Sequence, residues 1–216
     1  MNGILVEAAI DSFAAAERAV SDGADRLEVC ANLGVGGLTP SKGLLRQCLT
    51  LGLPCLAMVR PRAGDFFYAS SDIVQIGAAT SEMCDAGAHG VVFGVLLRDG
   101  SVDAGATRAL VGLCNDRDTV FHRAFDATPD AMAALDTLIA CGVTRVLTSG
   151  QASSAVEGAE MLAKLKAHAA GRIEIMAGGG VRSPNVVELV QRSGVRQVHA
   201  RATEPEVVAA IRAALA

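Results

Sequence analysis

Apolar residues along this chain gather in eight short runs, and the stretches between them alternate apolar and polar positions at helical spacing. The runs, near residues 3–8, 25–30, 54–60, 89–94, 119–123, 143–149, 172–177 and 196–200, predict strands. The intervening stretches, near 11–22, 41–51, 71–87, 103–116, 129–140, 153–168, 183–193 and 204–214, predict helices. Asp11 or Ser12, Ser41, Ser71, Ser153 or Ser154, and Ser183 before Pro184 supply cap-like starts. Gly23, Gly52, Gly87, Gly142, Gly171 and Gly194 supply stops. Eight strand–helix alternations predict an α/β fold, a single (β/α)8 TIM barrel spanning 1–216. A doubly wound open sheet is the alternative, but no Gly-x-Gly-x-x-Gly follows the first strand.

A barrel's chemistry sits where its strands end, and side chains alternate between interior and helix layer. That parity sends Glu7, then Arg26, Glu28 and Cys30, then Met58 and Arg60 toward the interior, and later Glu174 and Met176 alternate against Ile173 and Ile175. Leu27 and Val29 face the helices. His122 shares parity with Val120, and Arg123 with Phe121, so one of the two is expected to point fully inward. Glu7, Glu28 and His122 are therefore candidates for general acid–base catalysis. The bland alternative, most natural for Arg26 and Glu28, is an internal salt-bridge network.

Two segments suit anion binding. Gly178, Gly179 and Gly180 follow the seventh strand and precede a helix expected near Ser183, and Arg201 lies just past the eighth strand beside His199. The third loop carries Arg60, Arg62 and Asp65, a pattern for carboxylate or phosphate recognition or for a self-paired rigid loop. Arg123, Asp126 and Ser149 add polar groups at the fifth and sixth strand ends.

Composition narrows the partners. Net charge is −4 and aromatics make up 3%, with no Lys/Arg block, so a nucleic-acid surface is not expected. The longest apolar run, near 90–97, falls far short of the roughly 18 residues of a membrane span. The N-terminus carries no basic segment followed by a long apolar one, so a cytoplasmic protein is expected. Six cysteines form no Cys-x-x-Cys pair. Cys48, Cys55, Cys84, Cys114 and Cys141 read as buried thiols, whereas Cys30 ends a strand at the mouth.

At these residues the chain resembles a known family along its length. The segments DRLEVCANLGVGGLTPSKG (25–43), MVRPRAGDFFY (58–68), FHRAFD (121–126), RVLTSGQ (145–151) and IMAGGGV (175–181) are similar to those of the CutC copper-homeostasis family. The resemblance implies a TIM barrel, a cytoplasmic location, a homodimer, and a role in copper tolerance or Cu(I) binding. Cu(I) prefers at least two soft ligands, and only Cys30 lies at the expected mouth, with Met58, Met176, His122 or His199 as possible partners. Where the family often reads GGDFCY, this chain reads Ala63-Gly64-Asp65-Phe66-Phe67-Tyr68 and lacks a thiol.

Two functions follow. One is copper homeostasis, with copper as Cu(I) held near Cys30. The other is an enzyme acting on a small phosphorylated or carboxylated substrate, with Glu7, Glu28 and His122 moving protons and Arg60, Arg62, Arg123 and the glycine loop holding the anion.

Overall fold

In this computed structural model, which describes residues 3–216, eight parallel strands pair in chain order and the last pairs with the first. They are β1 (Leu5–Ile10), β2 (Arg26–Val29), β3 (Cys55–Met58), β4 (Gly90–Phe93), β5 (Asp118–Phe121), β6 (Arg145–Thr148), β7 (Glu174–Gly178) and β8 (Gln197–Arg201). The helices that follow them are α1 (Phe13–Ser21), α2 (Lys42–Leu49), α3 (Ser70–Asp85), α4 (Ala104–Leu113), α5 (Ala131–Cys141), α6 (Ala159–Ala169), α7 (Val186–Ser193) and α8 (Val207–Leu215). This is a (β/α)8 TIM barrel.

Period-two alternation divides the buried apolar residues into two sets. Val6, Ala8, Ile10, Leu27 and Val29 join helix residues such as Ala16, Leu45, Leu135 and Ile211 in the layer between sheet and helices. Ala9, Leu56, Met58, Val92, Val120, Leu147 and Met176 fill the barrel interior with Cys30 and Leu33. Burying each large aliphatic side chain contributes about 1.5–3 kcal/mol, so both layers drive closure.

Local chemistry starts the helices. Ser12 accepts the N–H of Ala15, Ser41 that of Leu44, Asp103 that of Ala106, and Asp130 those of Met132 and Ala133. Each cap contributes about 1 kcal/mol.

Several boundaries differ from the pattern-based expectation, three of them for a plain physical reason. The first strand runs two residues later, because Ala8 and Ala9 pair with Leu27 and Glu28 despite their weak strand propensity. α6 begins at Ala159 rather than near 153. The turns before it bring Gly158 against Ser149, where a Cβ would lie 1.8 Å from the Ser149 carbonyl oxygen. α7 begins at Val186, so the glycine run is separated from it by a turn in which Asn185 accepts the Arg182 N–H.

Candidate functional site

The C-terminal mouth of the barrel encloses a cavity of about 520 Å³. Its floor and walls are formed by Ala9, Met58 and Leu147 from the interior layer, with Glu28, His122 and His199 as the titratable groups. Arg60, Arg123, Arg182 and Arg201 also line it, against one rim carboxylate, Glu204. The cationic excess suits an anion.

Below the cavity lies a buried charge network. Arg26 Nε donates to Glu7 Oε2 at 2.5 Å, and the two side chains are 5% and 0% exposed. Arg26 Nη2 reaches across the barrel to Gln197 Oε1 at 2.9 Å and to the Met176 sulfur at 3.3 Å. His199 Nδ1 stands 2.8 Å from Glu7 Oε1 and 3.8 Å from Glu28 Oε2. Burial disfavours the Glu7 anion, but Arg26 and His199 outweigh it and hold its pKa down to about 2. Glu28 is pushed the other way, by burial and by the Glu7 charge. Burial opposes the His199 imidazolium, yet Glu28 and Glu7 together raise its pKa. Glu7 is thus a fixed anion held by Arg26 and His199, and Glu28 shares the His199 charge at longer range.

Higher on the wall, His122 opens a short 3-10 turn (Arg123–Ala127), and its Nδ1 accepts the Ala124 N–H at 3.1 Å. Burial, and then the charge of Arg60, lower its pKa to about 3. Phe66 lies against it, ring centroids 4.9 Å apart, and the Arg60 guanidinium lies 5.1 Å from the same Phe66 ring. Among the described residues, Glu28 Oε2, His122 Nε2 and Arg60 Nε are buried with no hydrogen-bond partner. Leaving such a group unpaired costs about 1–3 kcal/mol, a cost that a bound ligand can remove.

Arg123 is oriented deliberately. Its Nε donates to Asp126 Oδ2 at 2.7 Å and its Nη2 to Ser149 Oγ at 3.2 Å. Asp126 also accepts from Thr148 Oγ1 and the Ser149 N–H, tying the turn to the end of β6. Gly179 and Gly180 have φ of +110° and +75°, and a Cβ on Gly179 would lie 3.3 Å from the Arg123 guanidinium carbon. Glycine there serves both the left-handed backbone and the passage of the arginine.

A family model described as the CutC family matches residues 4–204. The chain belongs to the CutC family. It is 45% identical over 200 residues to a family protein CutC from Treponema denticola, covering 92% of this chain and 81% of that one. It is 42% identical over 202 residues to the human copper homeostasis protein cutC homolog, covering 93% of this chain and 74% of that one. The crystal structure of CutC from Streptococcus agalactiae superposes with a TM-score of 0.87 at 32% identity, covering 93% of this chain and all of that one.

In this CutC-family barrel the expected site residues separate into groups. Glu28, Arg60, His122, Arg123, Gly179, Gly180, His199 and Arg201 line the cavity. His122 and Arg123 both reach it, because the 3-10 turn breaks the strand's alternation between them. Asp126 and Ser149 act through Arg123. Other expected residues are not among those lining the cavity. Glu7 lies beneath the cavity, locked by Arg26. Gly178 belongs to β7, where a Cβ would collide with Leu147 at 2.4 Å, so it serves packing. Arg62 pairs with Asp65 at 2.9 Å, donates to the Phe67 carbonyl and stacks on Tyr68, so both charges satisfy each other on the exposed loop away from the cavity. Arg60 spends its Nη groups on the carbonyls of Val35, Gly37 and Gly64 and clamps two loops, contributing charge rather than a bidentate grip.

Pattern reading overlooked Arg182 and Phe66. Arg182 lies two residues past the glycine run, a signal that could have found it. Phe66 had none beyond its place among arginines.

The residues present suit Cu(I) poorly, although Cys30 and Met58 lie side by side. Cys30 is fully buried, and its thiol donates to Glu28 Oε1 at 3.1 Å. Burial and the neighbouring carboxylate push its pKa well above the ordinary thiol value, opposing the thiolate a metal needs. The Met176 thioether is engaged by Arg26. The cluster with metal-like spacing, Glu7, Glu28 and His199, offers oxygen and nitrogen rather than sulfur, with Arg26 already bound to it.

Proposed function

We propose that this CutC-family protein is a cytoplasmic enzyme that serves copper homeostasis indirectly, through acid–base chemistry on a small substrate carrying a phosphate or carboxylate. The observation that carries this reading is one cavity holding two buried, unpartnered polar atoms, Glu28 Oε2 and His122 Nε2, beneath a rim of arginines. Arg123, posed by Asp126 and Ser149, takes the anion beside Gly179 and Gly180, and Glu28 exchanges a proton with the substrate. The copper role rests on the names of the human and mouse relatives.

The rival reading, Cu(I) held at Cys30, has one observation in its favour. Cys30 and Met58 meet beneath Gly37, where a Cβ would lie 3.1 Å from the thiol sulfur and 3.4 Å from the Met58 methyl carbon. One paired experiment decides between them. Inorganic phosphate and pyruvate are titrated calorimetrically into the wild type and Arg123→Ala, and Cu(I) is titrated under reducing conditions into the wild type and Cys30→Ser. Saturable anion binding that Arg123→Ala weakens is expected. Stoichiometric Cu(I) binding lost in Cys30→Ser, with no anion binding, would reverse the conclusion.

A further inference from the structure

His122 is a hydrogen-bond donor to the cavity and nothing else. Its Nδ1 lone pair is taken by the Ala124 N–H. A neutral imidazole carries one proton, so that proton resides on Nε2. Nε2 is the atom left buried without a partner. Protonating the ring would require giving up the Ala124 contact, and the charge of Arg60, whose guanidinium is held by backbone carbonyls, opposes it. His122 therefore offers a neutral N–H and keeps no free lone pair, so within the acid–base chemistry expected of it the ring serves as a donor.

Glu28 is its complement. Oε1 is occupied by the Cys30 thiol, and Oε2 accepts no hydrogen bond, with His199 Nδ1 3.8 Å away. A cavity lined by one carboxylate acceptor and one neutral imidazole donor serves a reaction in which a proton leaves one atom while negative charge grows on another.

We propose that the site removes a proton from carbon adjacent to a carbonyl group, with Glu28 as the base and His122 Nε2–H as the donor to the carbonyl oxygen. This rests on reading the cavity as an enzyme site for a small anion, and it specifies the substrate class: a small carbonyl compound with an acidic neighbouring C–H, bearing a phosphate or carboxylate held by Arg123.

The step balances within the site. Glu28 Oε2 takes the proton, and the C–H electron pair becomes the new C=C bond. The carbonyl π pair moves onto oxygen, and the resulting enolate oxygen accepts the hydrogen bond from His122 Nε2, which keeps its proton. Return of a proton from Glu28 to carbon regenerates a carbonyl compound. A neutral donor suits this better than an imidazolium, which would hand its proton to the oxygen. Arg60 adds positive charge behind the imidazole, favouring the enolate further. Glu28 lines the open cavity, which gives the captured proton a route to water, and His199 Nδ1, bonded to Glu7 and 3.8 Å from Glu28, steadies the carboxylate's charge.

The test uses the whole chain in D2O with dihydroxyacetone phosphate and, separately, with pyruvate, following loss of C–H signal by proton NMR. Enzyme-dependent deuterium uptake is expected for at least one probe. Glu28→Gln should slow it by about a hundredfold or more. His122→Gln should slow it by about a hundredfold, with calorimetric binding of the probe retained in both variants. Nitrogen-15 NMR of the wild-type histidines keeps the claim open to refutation if either variant misfolds: His122 should be the neutral Nε2–H tautomer between about pH 5 and 8. Binding of both probes without uptake overturns the enolisation while leaving the anion site standing. Failure of both probes to bind overturns the anion reading and this inference with it. A His122 imidazolium or an Nδ1–H tautomer overturns the donor role.

Discussion

Gly94 lies directly beneath the His122 ring: a Cβ at that position would come within 2.4 Å of both Nδ1 and Cε1. The glycine just past β4 is thus what lets the imidazole settle onto the barrel wall with Nδ1 toward the Ala124 N–H. Gly94→Ala is expected to displace the ring and to destabilise the fold by about 1–3 kcal/mol. Thermal unfolding reads the stability loss, a shift of about 2–4 °C per kcal/mol for a chain of this size. The deuterium-uptake assay reads the displaced ring. An alanine variant with wild-type melting and uptake would refute the seat.

The buried pair of Arg26 and Glu7 yields a second expectation. Arg26→Met leaves Glu7 buried without its main partner and should cost about 3–5 kcal/mol in urea unfolding. Replacing both, as Arg26→Met with Glu7→Leu, removes the desolvated charges together and should restore much of that loss. A double variant no more stable than the single one would mean that the pair does more than neutralise itself.

Acid should destabilise the protein in a defined window. His122 titrates near 6.5 when unfolded and near 3 when folded, so its contribution is present above pH 6.5 and is lost as the pH falls toward 3. Glu7 titrates at 4.5 unfolded and about 2 folded, so its contribution is present above 4.5 and is lost toward pH 2. At about 1.4 kcal/mol per unit, Glu7 alone accounts for roughly 3 kcal/mol. Glu28 is shifted upward and opposes this trend above pH 4.5. His199, also raised, contributes below 6.5 and is lost only as the pH rises through its folded value. Urea midpoints measured across this range should therefore fall most steeply below pH 4.5. A flat profile there would contradict the assignment.

Two arginines that look alike in sequence should behave differently. Arg123→Ala is expected to weaken phosphate binding by about tenfold or more, because a charge-assisted contact is lost at the anion's seat. Arg62→Ala should change it by no more than about twofold, since Arg62 is bound to Asp65, Phe67 and Tyr68 on the outer loop. Equal losses in phosphate titrations would place the anion on the third loop instead.

The amino-acid order alone determined the barrel, the inward parity of Arg26, Glu28, Cys30, Met58 and Arg60, and the strand ends where polar groups would gather. Those features follow from local rules: period-two alternation, helix caps and glycine stops act over a few residues and are visible one segment at a time. Tertiary structure decided which of the gathered groups act together. Glu7 and Glu28 look equivalent along the chain, yet one is pinned by Arg26 and the other keeps a free oxygen at the cavity, because the register between β1, β2 and β8 sets who meets whom. Arg62 and Arg123 were separated in the same way, by partners on their own loops. The His122 tautomer depended on an Ala124 N–H aimed by a 3-10 turn and on empty space at Gly94, and neither leaves a mark in the hydrophobic pattern.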